Sequence, residues 1–120
     1  MKNLEISVLM DFYGDMLTDK QKDVIELYYD EDLSLGEIAQ HEGITRQGVR
    51  DSIKRGEGLL LEMEQRLGLA RRFREMQEAL TEIVQCAKDI DFYNTEYASS
   101  KEIAARADRI IKLARELDRE

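Results

Sequence analysis

At 120 residues the chain has room for one domain, or one domain with an appendage. Apolar residues make up 42%, enough for a core, and the absence of proline and tryptophan beside abundant Glu, Lys, Arg, Leu and Ala favours helix. No stretch approaches the ~20 apolar residues that cross a bilayer, and the single cysteine, Cys86, excludes a disulfide framework. The opening "MKNLEISVLMDFYGDML" carries acids within its apolar pattern and no small-residue cleavage site, unlike a signal peptide. A cytoplasmic protein without membrane insertion is therefore expected. The net charge of −8 is unevenly spread: residues 1–44 carry −8, residues 45–74 carry +4 and residues 75–120 carry −4.

Residues 3–13 place Leu4, Val8, Leu9, Phe12 and Tyr13 on one helical stripe, with Ile6 off it and Gly14 as the stop. Thr18 and Gln21 have the spacing of a capping box. The helix they open should bury Val24, Ile25, Leu27 and Tyr28. "DED" at 30–32 is a polar break. Ser34 and Glu37 form a second capping box, opening a short helix with Leu35, Ile38 and Ala39 that ends at Gly43. Thr45 caps the next helix, whose inward residues are Val49 and Ile53. Gly56 and Gly58 fall inside it. Each costs about 1 kcal/mol in a helix, so a bend or a close packing contact is expected there.

Two long helices follow. Residues 69–90 carry Leu69, Phe73, Met76, Leu80, Ile83, Val84, Ala87 and Ile90. Residues 99–118 carry Ile103, Ala107, Ile110, Ile111, Ala114 and Leu117, with Ser99 as the expected cap. Spacings of three and four mark the seam of a coiled coil or bundle. The short connector "DIDFYNTEYAS", turn-like at Asn94, makes the two antiparallel neighbours. The stripe is wider than a single seam, which leads to the expectation of a homodimer. The fold expected is all-α: a helix-turn-helix unit over residues 1–67, then a helical hairpin over residues 68–120 that serves dimerisation.

"SLGEIAQHEGITRQGVRDSIKR" resembles the helix-turn-helix of the fourth region of bacterial sigma factors. The matching positions are Ser34, Glu37, Ile38, Ala39, Gly43, Ile44, Val49, Ile53 and Arg55. Most have a physical job. Ala39 is small where two helices cross, Gly43 tolerates a positive φ in the turn, and Ile44, Val49 and Ile53 pin the second helix to the first. "LTDKQKDVIELYYDEDLS" matches the helix before that motif. The longer stretch from "MDFYGDMLTDKQ" through "LLLEMEQRLGL" is similar to the YlxM family of small bacterial proteins. That resemblance implies a DNA-binding or regulatory role. It also implies a link to the signal recognition particle pathway, whose RNA or GTPase subunit would then be the partner.

On the recognition helix, Gln47, Arg50, Asp51 and Lys54 face outward, flanked by Arg46 and Arg55. Arg forks onto guanine and Gln onto adenine in the major groove, while Lys54 and Arg55 suit phosphate. Arg46, Gln47, Arg50, Lys54 and Arg55 are the candidate nucleic-acid-binding residues. Asp51 opposes a phosphate at the centre of that face but could accept from cytosine. His41 reads as a surface histidine without metal partners. Cys86 reads as a small buried side chain. "RRFRE" at 71–75 reads as a helix start with solvated arginines, and Tyr28, Tyr29, Phe92 and Tyr93 as packing residues. No nucleophile with a base, no acid–base pair and no phosphate-cradling loop is present in the sequence; neither an enzyme nor a cofactor is expected.

Overall fold

The computed structural model describes residues 3–118. It is all-α, with no strand among the described residues. The helices are α1 (Glu5–Tyr13), α2 (Asp19–Tyr29), α3 (Leu35–Glu42), α4 (Arg46–Leu67), α5 (Leu69–Tyr93) and α6 (Lys101–Leu117). A 3-10 turn, Gly14–Met16, follows α1, and a π-turn, Asn94–Ala98, follows α5. The chain divides into two compact units, one running to Arg71 and one from Arg72.

In the first unit α4 is the common partner of α1, α2 and α3. Its buried edge is Val49, Ile53, Gly56 and Leu60, spaced four, three and four, which is one stripe of a 3.6-residue helix. The two ends of that edge serve two cores. Val49 and Ile53 join Val24, Ile38 and Ala39. Leu60 joins Ile6, Leu9, Tyr13, Leu17, Ile25 and Ala70. Val24 and Ile25, adjacent on α2, are divided between the two. Gly56 lies where α2 crosses: a Cβ built there would drive into Ile25 Cδ1 and also approach Gln21 Cβ. Gly58 faces open space. The helix runs through both glycines, so Gly56 is a packing contact.

The stripe expected on α1 is shifted. Ile6, Leu9 and Tyr13 are its buried residues, whereas Leu4 is 79% exposed and Val8 is 48% exposed. Leu4 lies before the first helical residue, and the spacing 6, 9, 13 is the one that meets α4.

Two phenol–carboxylate bonds fasten α4 to its neighbours. Tyr29 of α2 donates to Glu57. Tyr13 of α1 donates to Glu64 Oε1 at 2.7 Å and accepts from the Leu69 N–H at 3.0 Å. Glu64 also accepts from the N–H groups of Ala70 and Arg71, at 3.1 and 3.0 Å. One carboxylate thus satisfies two of the free donors at the start of α5. Burial pushes the Glu64 carboxyl up. The bonds from Tyr13, Ala70 and Arg71, with the Arg71 charge, outweigh it and hold the group below the usual carboxylate value.

In the second unit, Leu80 and Ala87 of α5 and Ala107 and Ala114 of α6 are buried. One cleft is lined by Leu80 and Ala114 together, another by Ile83, Ile90 and Ile110. The end of α6 therefore lies beside the early part of α5, and the pair is antiparallel. The connector is almost wholly helical. The buried Asn94 fixes the reversal: its Oδ1 accepts from the Ser100 N–H and its Nδ2 donates to the Ser100 carbonyl, both at 2.8 Å. Ser100, not Ser99, caps α6 by accepting from the Ile103 N–H. Ser99 is held left-handed, at φ 54°, as the C-cap of the preceding turn. Cys86 is exposed, and so are Phe92 and Tyr93; none of the three is a core residue. The antiparallel seam of small residues is narrow, and these side chains lie outside it.

Gly56→Ala and Gly58→Ala should move stability in opposite directions. Overpacking costs about 1–3 kcal/mol against roughly 1 kcal/mol gained in helix propensity, so Gly56→Ala should lose about 1 kcal/mol net. Gly58→Ala should gain about 0.5–1 kcal/mol. Urea unfolding of both variants checks the pair.

The phenols set an alkaline limit. Burial, then the bond to Glu57, pushes Tyr29 up to about 12 from an ordinary 10.0. Burial, then Glu64, also raises Tyr13. Folding favours the protonated phenol, so this stabilisation is complete below pH 10.0 and lost as pH rises through about 12. In an alkaline absorbance titration the late ionisation step should shrink in Tyr29→Phe. A variant titrating with the wild-type late amplitude would mean that Tyr29 is not held.

Candidate nucleic-acid interface

Local chemistry fixes the helix-turn-helix. Ser34 Oγ accepts from the Glu37 N–H at 3.1 Å, while the Glu37 carboxylate accepts from the Ser34 N–H at 3.0 Å. Donation to the Glu37 carboxyl, first from the Ser34 backbone N–H and then from the Ser34 side chain, holds it below its usual value. At the other end of α3, Gly43 adopts φ 70°. That left-handed geometry lets the N–H groups of Gly43 and Ile44 both reach the Ala39 carbonyl. Two residues later Thr45 Oγ1 accepts from the Gly48 N–H at 2.9 Å and starts α4. Ile38, Val49 and Ile53 close the angle between α3 and α4 from inside.

What this leaves outside is a cationic surface. Arg46, Gln47, Arg50, Asp51, Lys54 and Arg55 are all exposed. At 100° per residue they form two rows. Arg46, Arg50 and Lys54 make one, about 12 Å long at 1.5 Å per residue and comparable to the ~12 Å width of the DNA major groove. Gln47, Asp51 and Arg55 make the other. None of Arg46, Arg50, Lys54 and Arg55 makes an ion pair within the described residues.

The structure does not bring all five candidate residues together as equals. Gln47 Nε2 donates to Asp51 Oδ1 at 3.0 Å, so the central acid holds the side chain expected to read a base. Arg46 leans toward α3, its Nε near Gly36. There it borders an open groove of about 740 Å³ shared by Ser34, Gly36, Gln40 and Thr45. The exposed face of α3, with Gln40, was not among the expected site residues. Its sequence signal is the capping box, which fixes where α3 begins and so which of its residues stay outside. His41 is exposed and bonded to Glu42 at 3.0 Å, outside this surface.

Residues 1–102 match the UPF0122 family model, described as "Putative helix-turn-helix protein, YlxM / p13 like". The chain belongs to this family. A UPF0122 protein of Acetivibrio thermocellus is 41% identical over 109 residues, covering 91% of this chain and 93% of the relative. One from Bacillus cereus is 38% identical over 107 residues, covering 89% and 97%. One from Desulforamulus reducens is 48% identical over 80 residues, covering 67% and 68%. The UPF0122 match takes in the whole helix-turn-helix and all of α5, and ends inside α6.

No helix among the described residues is long and apolar enough to cross a membrane.

The Thr45 cap gives a direct check on the geometry. Thr45→Ala should cost about 1 kcal/mol and fray the first turn of α4. Thr45→Ser should retain most of that stability. Equal melting temperatures for all three proteins would mean that the cap does not hold the recognition helix.

Proposed function

We propose that this UPF0122 protein is a DNA-binding regulatory protein that places the start of α4 in the major groove. The observation that carries this reading is the row Arg46, Arg50 and Lys54, exposed and without ion pairs among the described residues, on a helix whose position is set by a capped helix-turn-helix. In this reading Arg50 forks onto a guanine, Lys54 and Arg55 meet phosphates, and Arg46 closes on the backbone beside α3. Gln47 reaches a base only after releasing Asp51. The acids elsewhere oppose nonspecific attachment, since the chain carries −8 overall.

A second reading gives the same row to the signal recognition particle, through its RNA or its GTPase subunit. The Gln47–Asp51 bond favours it. With the amide withdrawn, the surface offers mainly point charges and guanidinium forks, which suit phosphate of any geometry or an acidic protein face. Binding of the purified particle or of either component without DNA would support that reading.

For the DNA reading, selection from a random duplex pool at about 100 mM salt should enrich a sequence, and the log–log salt slope should be about −3 per copy. Arg50→Ala should cost about 1–3 kcal/mol on the preferred site and flatten the preference. Lys54→Ala should weaken all sequences alike and make the slope shallower by about 1. No enriched sequence, with Arg50→Ala unchanged, removes the DNA reading.

A further inference from the structure

The hairpin carries two heptad seams. The inner one is the buried line of Leu80, Ala87, Ala107 and Ala114. The outer one is built from side chains beside it. On α5, Met76, Ile83 and Ile90 recur every seven residues, with Ala79 and Cys86 between them at spacings of three and four. On α6, Ile103, Ile110 and Leu117 recur every seven residues. The six large side chains are between 40% and 65% exposed. They lie on the same side of the hairpin, because Ile110 lines one apolar cleft of about 370 Å³ with Ile83, Cys86 and Ile90.

We infer that this face is the dimer interface, where a second copy of the chain adds its own hairpin to make a four-helix bundle. A surface with a sustained heptad period accepts a helix of the same period, since knobs and holes repeat together. The second copy supplies such a surface by construction, and a two-fold contact is self-complementary. The area also fits. Half-exposed Met, Ile and Leu side chains with Leu113 beside them offer roughly 600 Å² per copy, the lower end of what each partner gives to a stable interface and the upper end of a typical monomer's patch.

Charge selects the arrangement. The outer edge of α5 on this face is the acidic row Glu75, Glu82 and Asp89, whereas the equivalent row on α6 is mixed, Glu102, Arg109 and Glu116, with Arg106 beside it. Packing α5 on the partner's α5 would set two acidic rows together. Packing α5 on the partner's α6, antiparallel and with the two-fold along the helices, sets Glu82 near the partner's Arg109. The inference stands independently of what the helix-turn-helix binds.

Sedimentation velocity and light scattering of the full chain at about 50 µM, far above a micromolar dissociation constant, test this. Wild type should have twice the 14.0 kDa chain mass. Ile83→Glu with Ile110→Glu should be monomeric with an unchanged helical spectrum, a loss of at least about a hundredfold in affinity. The edge variants guard against misfolding of that protein. Glu82→Arg should weaken the dimer several-fold and adding Arg109→Glu should restore it. Wild type at the mass of one chain overturns the inference and leaves the face to another segment or another protein. A dimer unchanged by the double glutamate variant overturns it as well. Failure of the charge swap to restore affinity overturns the α5-on-α6 arrangement.

Discussion

The first unit depends on one close approach, that of α2 to α4 at Gly56. A side chain at that position would push Ile25 aside, and Ile25 is fully buried beside Leu60. Because α2 can come so near, its adjacent residues Val24 and Ile25 reach cores on either side of the crossing. The angle of α4 against α2 then sets where Val49 and Ile53 meet α3. The cationic row stands outside because the opposite edge of the same helix is committed inside.

The polar contacts work in the same direction. Tyr29 and Tyr13 each give a ring to the core and a hydroxyl to a carboxylate on α4. Such bonds are directional where packing is not, so they resist rotation of α4 about its own axis. Glu64 extends this beyond Gly68, which is left-handed at φ 63°. By accepting from Ala70 and Arg71 it turns the end of one helix into the cap of the next.

Much of this architecture is legible in the sequence, and the part that is legible is local. The boxes at Thr18–Gln21 and Ser34–Glu37, the Thr45 cap and the left-handed Gly43 each involve neighbours within a few residues, and all are present. The exposure of the five candidate binding residues follows from Val49 and Ile53 facing inward. The Gln47–Asp51 bond is also local, at a spacing of four, and could be read by asking what Asp51 does when no ligand is present. What eludes sequence is competition between faces. Apolar residues on α5 and α6 satisfy two interleaved seams, and composition does not say which turns inward; the small residues Ala87, Ala107 and Ala114 take the tight one. Ile6 gives way to Leu4 in a periodicity count because nothing local says that Leu4 precedes the helix. Ser99 and Ser100 are interchangeable as caps until Asn94, six residues back, claims Ser100.

The unbroken run of α4 from Thr45 to Gly68 has a consequence for how events at one end are felt at the other. Its backbone amides form one ladder, flanked by the Thr45 cap at its start and by Tyr13 and Glu64 at the far end. Melting its middle would expose both cores together, which couples the opening of its two ends. In the DNA reading proposed above, a ligand seated on Arg46 and Arg50 would slow hydrogen exchange not only beneath the contact but about four turns away, around Leu60 and Glu64. Occupancy of the surface would then be written into the protection of residues that no ligand touches.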